Sequence, residues 1–432
     1  MTSTLKQEST EKYNAIDKPE ISLLLCCSRT RLNHSIKKQI KLLVKQDIDW
    51  QYLTSLASQH GVVPLLFNSL NNTCPELLPA DILTNLRTYF QVNAQRNLFR
   101  TAQLLKFLSI FEANGIDAIP FKGATLTASA YGNMALRQFN DIDVLIRKEH
   151  VKKATEILID LGFNPPQKNT EAIDKPYLEN NYFLESNEYQ GSYDLYNPKT
   201  NVAFEMHWSL TTKQFPFSPT FQDLWENTEP VIFAGRKVPQ FTKEILLIYL
   251  CVHASKPKHT WSELKWICDL SELIQSNPGL DWEKVHQKAK IWGCDRIVNI
   301  GLLLAHNLLN LELPEHILLK INQDKVAQRL VKEVVNRIFT KEFMGIDEHI
   351  FVVKSRERLQ DKIYCLSYFI FAPTAKEWNY IALPKSISFL YYLIRPYRLV
   401  KEYLTSAATR KSKIKSGAGM GEVLTSSFSP PT

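Results

Sequence analysis

The chain has 432 residues, 44% of them apolar, and this composition excludes a mostly disordered or fibrous protein. Its formal net charge of +8 is mild, which argues against nucleic acid as a partner but suits a cleft for an anionic small molecule. No apolar run approaches the roughly 20 residues that span a bilayer, and the polar N-terminus is not typical of a signal peptide, so we expect a cytoplasmic protein with no membrane partner.

Helical spacing of apolar residues predicts an N-terminal helical region over residues 21–111. Asp49, which directly precedes Trp50, is predicted to cap the start of one of these helices. The last helix of the region is expected over 96–111. Its predicted apolar side consists of Leu98, Ala102, Leu105, Phe107 and Leu108.

The pattern then changes to short β-like runs, which predict strands at 116–121, 141–147 and 202–210. A turn at residues 197–200 separates the third strand from the run SYDLY, and this indicates an antiparallel hairpin. Short helices are expected over 124–130 and 151–161.

Helical spacing returns from residue 242, so the predicted fold class is α+β, with a small mixed β-sheet flanked by N-terminal and C-terminal helical regions. The seven cysteines include no C-x-x-C pair and are expected to be reduced and buried. The oligomeric state cannot be predicted. The predicted divisions are a disordered N-terminus (1–20), an N-terminal helical region (21–111), a sheet-containing module (112–230), a C-terminal helical domain (231–405) and a disordered basic tail (406–432).

Carboxylates are concentrated on two of the predicted strands. Side chains alternate along a strand, so Asp141 and Asp143 share one face, and Glu205 and His207 share a face of the later strand. Neighbouring carboxylates repel each other unless a cation neutralises them, and carboxylate oxygens suit Mg²⁺. We therefore predict that Asp141, Asp143 and Glu205 bind one or two Mg²⁺ ions, with Asp194 as the rival third ligand.

The pair Asp47 and Asp49 shows that the spacing D-x-D alone is weak evidence. It lies in a helical region and is expected at a helix start, away from any cleft. The pair at Asp141 and Asp143 differs because it lies on an apolar strand behind a strand–turn–helix unit. Because such carboxylates repel each other, replacing either one with Asn is predicted to leave the fold intact or slightly more stable.

Several motifs carry a resemblance to a known family. Lys122-Gly123 and Arg137 precede the Asp141 pair in the pattern KG…R-x-x-x-D-I-D, and FEMHWSL (204–210) and HASKPKHTWSELKWICDL (253–270) follow. With these motifs the chain resembles the bacterial uncharacterised nucleotidyltransferases, a group within the nucleotidyltransferase superfamily of polymerase-β-like fold. The resemblance covers roughly residues 20–400.

The resemblance implies a Mg²⁺-dependent catalytic site. Asp141 and Asp143 would hold Mg²⁺ against the phosphates of an NTP, for which we expect ATP. Glu205 would complete the metal site and help to deprotonate an acceptor hydroxyl. Gly123 would let backbone amides approach the triphosphate. The wider superfamily has Gly-Gly or Gly-Ser at this turn, so Lys122 is predicted to contact the phosphates instead. The alternative for Lys122 is a solvated charge at the end of a strand.

The other candidate residues allow two interpretations each. Arg137 either reaches the phosphates in the same cleft or lies at a helix end on the surface. His207 either contacts substrate or is a hydrogen-bonded histidine of the sheet. His253 and Lys256 share one helix face and either contact nucleotide or acceptor or belong to a structural hydrogen-bond network that also includes Asp269.

The leading functional hypothesis is a nucleotidyltransferase that moves a nucleoside monophosphate to a hydroxyl of a small molecule or peptide in a biosynthetic pathway. One alternative is AMP transfer to a partner protein, as in toxin-control systems. Another is a catalytically idle nucleotide-binding or scaffold protein, which the retained carboxylates argue against. The acceptor itself cannot be predicted from the sequence.

Overall fold

The computed structural model describes residues 18–164, 191–217, 219–340, 346–373 and 385–401, together with 377, 380, 381 and 383. The chain divides into two compact units between Arg358 and Leu359, and each is described by itself. Residues 1–17 of the predicted disordered N-terminus and all of the predicted tail 406–432 lie outside the described residues. The other predicted domain boundaries stay predictions.

The first unit begins with five helices that confirm the predicted N-terminal helical region. Asp49 caps the third, since its Oδ1 accepts a hydrogen bond of 2.9 Å from the backbone N–H of Tyr52. The pair Asp47 and Asp49 therefore lies at a helix start, as predicted. The helices are α1 (Pro19–Cys27), α2 (His34–Val44), α3 (Trp50–Gln59), α4 (Val63–Asn71) and α5 (Ala80–Ala113).

Helix α5 is longer than predicted, and its predicted apolar side is wrong in part. Leu98 is 58% exposed, whereas Asn97 is fully buried. The amide of Asn97 donates to the backbone carbonyls of Met134 and Arg137, both at 2.7 Å. These two hydrogen bonds allow the amide group of Asn97 to be buried. The buried side of α5 therefore includes Asn97 and not Leu98, and it differs from the side that apolar spacing predicts.

A four-stranded mixed sheet follows, which confirms the predicted strands and the α+β class. The strand order is β1-β2-β4-β3; β2 and β4 are parallel, and the other two pairs, β1–β2 and β3–β4, are antiparallel. The last of these is the predicted hairpin. The strands are β1 (Ala118–Pro120), β2 (Asp141–Ile146), β3 (Ser192–Asn197) and β4 (Val202–His207).

One face of this sheet carries the core of the module. Ile142, Val144 and Phe204 lie on it and are nearly or fully buried. Phe107 of α5 packs edge-to-face on Phe204, with ring centroids 5.3 Å apart. Because side chains alternate, the polar residues of β2 and β4 are directed to the opposite face. The short helices are α6 (Gly123–Leu126), which continues as a π-helical turn (Thr127–Tyr131), and α7 (Val151–Asp160).

A second hairpin, which the sequence reasoning missed, precedes the C-terminal helices. Its strands, β5 (Thr228–Phe233) and β6 (Arg236–Phe241), are joined by a turn with positive φ at Ala234 and Gly235. The remaining helices of the first unit are α8 (Phe221–Trp225), α9 (Lys243–Ser255), α10 (Leu264–Ser276), α11 (Trp282–Ile291), α12 (Asp295–Leu309), α13 (Glu315–Gln323), α14 (Lys325–Ile338) and α15 (Ile346–Lys354).

The second unit contains α16 (Leu359–Phe371), a 3₁₀ segment (Lys385–Leu390) and helical residues 391–401. Within it, the guanidinium groups of Arg395 and Arg398 both pair with the buried carboxylate of Glu377. All seven cysteines are buried and free, as expected. No helix in the described part of the chain combines the length and the apolar character that crossing a membrane requires.

Candidate active site

The parallel pairing of β2 and β4 places two carboxylates side by side. In the register, Asp143 is the partner of Glu205, and Asp141 is the partner of Ala203. Asp143 is only 4% exposed, whereas Asp141 and Glu205 are half-buried. The alternation predicted for both strands therefore brings acidic side chains together on the face of the sheet opposite its apolar core.

The side chains of this face are close enough to share a cation. One ligand atom each from Asp143, Glu205 and His207 lies within 4.8 Å of the others. Carboxylate oxygens and an imidazole nitrogen together suit a divalent cation, so the residues present fit a metal. Among the described residues this group includes His207 and not Asp141. The predicted ligand set of Asp141, Asp143 and Glu205 stays a prediction.

Two cationic side chains of the protein lie between these carboxylates. The Nζ atom of Lys122 donates to Oδ1 of Asp143 at 2.6 Å. The Nε2 atom of His207 lies 3.2 Å from the same oxygen and 3.3 Å from Oε1 of Glu205. A metal ion that binds these carboxylates would therefore compete with Lys122 and His207 for them.

The charges of this cluster determine which groups are ionised. Burial raises the pKa of Asp143, but Lys122 and the hydrogen bond from His207 outweigh it and hold that pKa below its ordinary value. Burial also raises the pKa of Glu205, yet His207 and Lys122 hold it well below its usual range. The pKa of His207 is raised although burial lowers it, because Glu205 and Asp143 favour the imidazolium. Both carboxylates are therefore ionised at neutral pH.

Asp141 is in the opposite situation. Repulsion from Asp143 and burial raise its pKa to about 6, and the attraction of Lys122 only partly compensates. Among the described residues, Asp141 forms no ion pair. It is therefore the carboxylate of the cluster whose charge is least neutralised by the protein itself.

The turn between β1 and α6 carries Lys122 and Gly123. Gly123 has a φ of +50°, which L residues with a side chain seldom adopt. An added Cβ would lie 3.4 Å from the ring of Phe139 and 3.5 Å from the carbonyl oxygen of Asp141. The glycine thus lets the turn pass close to the start of β2. The turn places the Lys122 side chain against Asp143.

Arg137, the predicted phosphate contact, lies in a buried ion pair. Its Nε and Nη2 atoms donate to the two carboxylate oxygens of Asp269 on α10, at 2.7 and 2.9 Å. The hydroxyl of Tyr131 donates to the same carboxylate at 2.7 Å. Asp269 therefore connects α10 to the loop before β2, which agrees with the structural interpretation of this residue. The predicted contact of Arg137 with phosphate stays a prediction.

His253 lies in the last turn of α9, whereas Lys256 directly follows the helix with an extended backbone, so the predicted shared helix face is wrong. Burial, with Lys122 nearby, lowers the pKa of Lys256 to about 8, and Lys256 in turn favours the ionised form of Glu205. His253 Nδ1 lies 3.3 Å from the hydroxyl of Tyr249. The structure thus places Lys256 within electrostatic range of the carboxylates, and its contact with a substrate stays a prediction.

The loop after α9 has a strained backbone. Lys258, Thr260 and Trp261 all have positive φ, which is uncommon for residues other than glycine. The indole of Trp261 is fully buried and donates to the hydroxyl of Ser255 at 2.8 Å. His259 stacks on Trp266, with ring centroids 4.8 Å apart. These contacts hold the loop in its conformation beside Lys256.

Sequence reasoning missed one polar residue of this region, Arg100, and one ion pair, Arg137–Asp269. Arg100 of α5 lines a small cleft together with Lys122, Gly123 and Asp141. The sequence signal that could have indicated Arg100 is its position three residues after Asn97, which places both side chains on the same side of α5. Asp269 was noticed, but nothing in the sequence indicated Arg137 as its partner.

The rival third carboxylate, Asp194, lies on the outer strand of the sheet. In the antiparallel register of β3 and β4 it is the direct partner of Glu205. Unlike Glu205, it is exposed to solvent. Asp194 does not belong to the group of ligand atoms around Asp143.

Comparison with known proteins gives one match. The sequence model of a protein family described as "Uncharacterised nucleotidyltransferase" matches residues 46–310, which is more than half of the chain and includes α5, the four-stranded sheet and α10. No curated protein and no solved structure matches the chain.

Proposed function

The chain belongs to the uncharacterised nucleotidyltransferase family, and from this membership we propose that it transfers a nucleoside monophosphate from an NTP to an acceptor hydroxyl. The observation that supports this most directly is the pairing of Asp143 with Glu205 on adjacent parallel strands, next to Asp141 and beside the Gly123 turn. We propose ATP as the nucleotide and a small molecule or peptide as the acceptor.

The proposed cofactor is Mg²⁺, held by Asp141, Asp143 and Glu205. When bound, it would neutralise phosphate charge and polarise the phosphorus that is attacked. The protein's own cations are already close to these carboxylates, so Lys122 and His207 would have to yield part of their contacts to the metal. This competition is a property of the chain's residues and can be measured in the absence of nucleotide.

The proposed reaction is an in-line substitution at the α-phosphorus of the NTP. The acceptor oxygen forms a bond to this phosphorus, the bond to the bridging oxygen breaks, and pyrophosphate leaves. Glu205 is ionised at neutral pH, so its carboxylate is available to accept the hydroxyl proton. The proposed role of Gly123 is to let the backbone of this turn, which has a φ of +50° at that residue, approach the triphosphate.

The test is incubation of the purified protein with each α-labelled NTP, Mg²⁺ and a pool of cellular metabolites and peptides. We expect label to appear in a new product with one preferred NTP. Glu205→Gln should abolish the labelling, whereas Asp194→Asn, a matched change on the neighbouring strand, should not. Absence of product from every NTP and pool, or equal loss in the two variants, would contradict the proposal.

A further inference from the structure

We propose that Arg100 binds the β- and γ-phosphates of the nucleotide and so makes the site selective for triphosphates. This inference rests on the proposed function and deepens it. The residues that carry it are Arg100 on α5, the turn at Lys122 and Gly123, and Asp141 at the start of β2. They line one narrow cleft of about 10 Å³, so the phosphates would lie at its mouth.

Arg100 has unused hydrogen-bonding capacity. Within the described part of the chain it forms no ion pair, and its buried Nε–H has no hydrogen-bond acceptor. Buried polar groups in folded proteins are nearly always hydrogen-bonded, so an unpartnered guanidinium N–H next to a cleft is a donor that a bound anion can accept from. The guanidinium group presents its N–H donors in a planar fork, a geometry that matches the oxygens of a phosphate.

Lys122 is the other cation of this cleft, but its ammonium already donates to Asp143 at 2.6 Å. A triphosphate that approaches Asp141 and Asp143 meets their negative charge and needs a cation that is not neutralised by them. Arg100 meets this requirement because it lines the same cleft and has no ion-pair partner in the described residues. Arg100 is therefore available to phosphate without giving up an ion pair, and the predicted contact of Lys122 with phosphate stays a prediction.

The lining of the cleft also gives the triphosphate a direction. Arg100 and Asp141 line the cleft, whereas Glu205 does not. The attacked α-phosphate must lie within reach of Glu205, the proposed proton acceptor. The leaving pyrophosphate then extends past Asp141 to the side of the cluster on which Arg100 lies.

The experiment compares Arg100→Gln with wild type in calorimetric titrations with ATP, AMP and inorganic tripolyphosphate, each with Mg²⁺. A charge-assisted hydrogen bond to phosphate accounts for about ten- to a hundredfold in affinity. We expect losses of this size for ATP and tripolyphosphate and less than about twofold for AMP. Arg100→Lys should recover part of the loss, because it restores the charge without the fork.

Arg87→Gln is the matched control, since Arg87 lies on the same helix, is exposed, and does not line the cleft. It should bind all three ligands as wild type does. Unchanged binding of ATP and tripolyphosphate by Arg100→Gln, or an equal loss for AMP, would overturn the assignment. If tripolyphosphate binding depends on Arg100 but no NTP yields a product, the proposed function fails and the phosphate site stands.

Discussion

The same substitution at two aspartates of one strand is expected to change stability in opposite directions. Repulsion from Asp143 and burial raise the pKa of Asp141 to about 6. Asp143, in contrast, accepts a hydrogen bond from Lys122 at 2.6 Å and lies 3.2 Å from His207, and these groups hold its pKa below the ordinary value despite burial. Sequence alone predicts the same effect for both; the structure separates them.

The magnitudes follow from these environments. A pKa raised from 3.8 to about 6 corresponds to about 3 kcal/mol at pH 7, so Asp141→Asn should stabilise the metal-free protein by up to that amount. Asp143→Asn leaves the Lys122 ammonium without its partner, and breaking a buried pair costs about 3–5 kcal/mol. Relief of the repulsion on Asp141 offsets part of this cost, so we expect a net loss of at least about 1 kcal/mol.

The pH dependence has a sign that can be checked. Because the folded-state pKa of Asp141 is raised, its penalty appears as the pH rises from about 4 to about 6, so the advantage of Asp141→Asn should vanish near pH 4. The pKa of Asp143 is depressed in the folded protein, mainly through Lys122, and its contribution is lost only as the pH falls below about 4. The offset from Asp141 exists only where Asp141 is ionised, so the net penalty of Asp143→Asn should be larger at pH 4.5 than at pH 7.

The assay is urea unfolding of chelator-treated wild type and both variants at pH 4.5 and 7, followed by circular dichroism. Asp194→Asn is the matched control; Asp194 is exposed, and its removal should change the free energy of unfolding by less than about 0.5 kcal/mol. Both site variants should nevertheless lose nucleotide transfer. Equal stability of the two variants at pH 7, or destabilisation by Asp141→Asn, would refute the charge assignment.

Three further outcomes are expected. Gly123→Ala should cost about 1–2 kcal/mol, measured by urea unfolding, because the φ of +50° is unfavourable with a Cβ even though Phe139 at 3.4 Å allows contact. Asp269→Asn should cost about 3–5 kcal/mol in the same assay, since it leaves the Arg137 guanidinium buried without a charged partner; a loss below 1 kcal/mol would contradict this. Mg²⁺ affinity, measured by calorimetry, should rise from pH 5 to pH 7 as Asp141, whose pKa is raised to about 6 by Asp143 and burial, loses its proton, and Asp141→Asn should flatten this dependence.

The sheet and its carboxylates were predictable because their signals are local. Alternation along 141–147 and 202–210 determines which side chains share a face, and both strands formed where expected. Their pairing as parallel neighbours, which brings Asp143 beside Glu205, depends on the crossover between them. Spacing within one strand contains no information about that crossover.

The contacts that sequence reasoning missed are long-range and polar. Arg137 and Asp269 are 132 residues apart, and a bidentate pair across that separation leaves no periodic signal. Asn97 turned inward for a similar reason, since its partners are carbonyl groups of a loop about 40 residues away. Apolar spacing therefore predicted the existence of α5 correctly but not which of its sides is buried. For this reason it did not indicate that Arg100 lines the cleft.

The charges of the cluster indicate at which of its edges the proposed metal would bind. Of the three carboxylates, Asp143 and Glu205 pair with the basic side chains of Lys122 and His207, whereas the charge of Asp141 is left over, without an ion pair among the described residues. The two cations keep Asp143 and Glu205 from repelling each other in the metal-free protein. Because neither pairs with Asp141, the leftover charge lies at the edge of the cluster that borders the Arg100 cleft. A divalent cation that arrives there first meets Asp141, which neither Lys122 nor His207 pairs with, and it reaches Asp143 and Glu205 only in competition with those two groups. This edge is the side from which we expect the metal and the triphosphate to enter together.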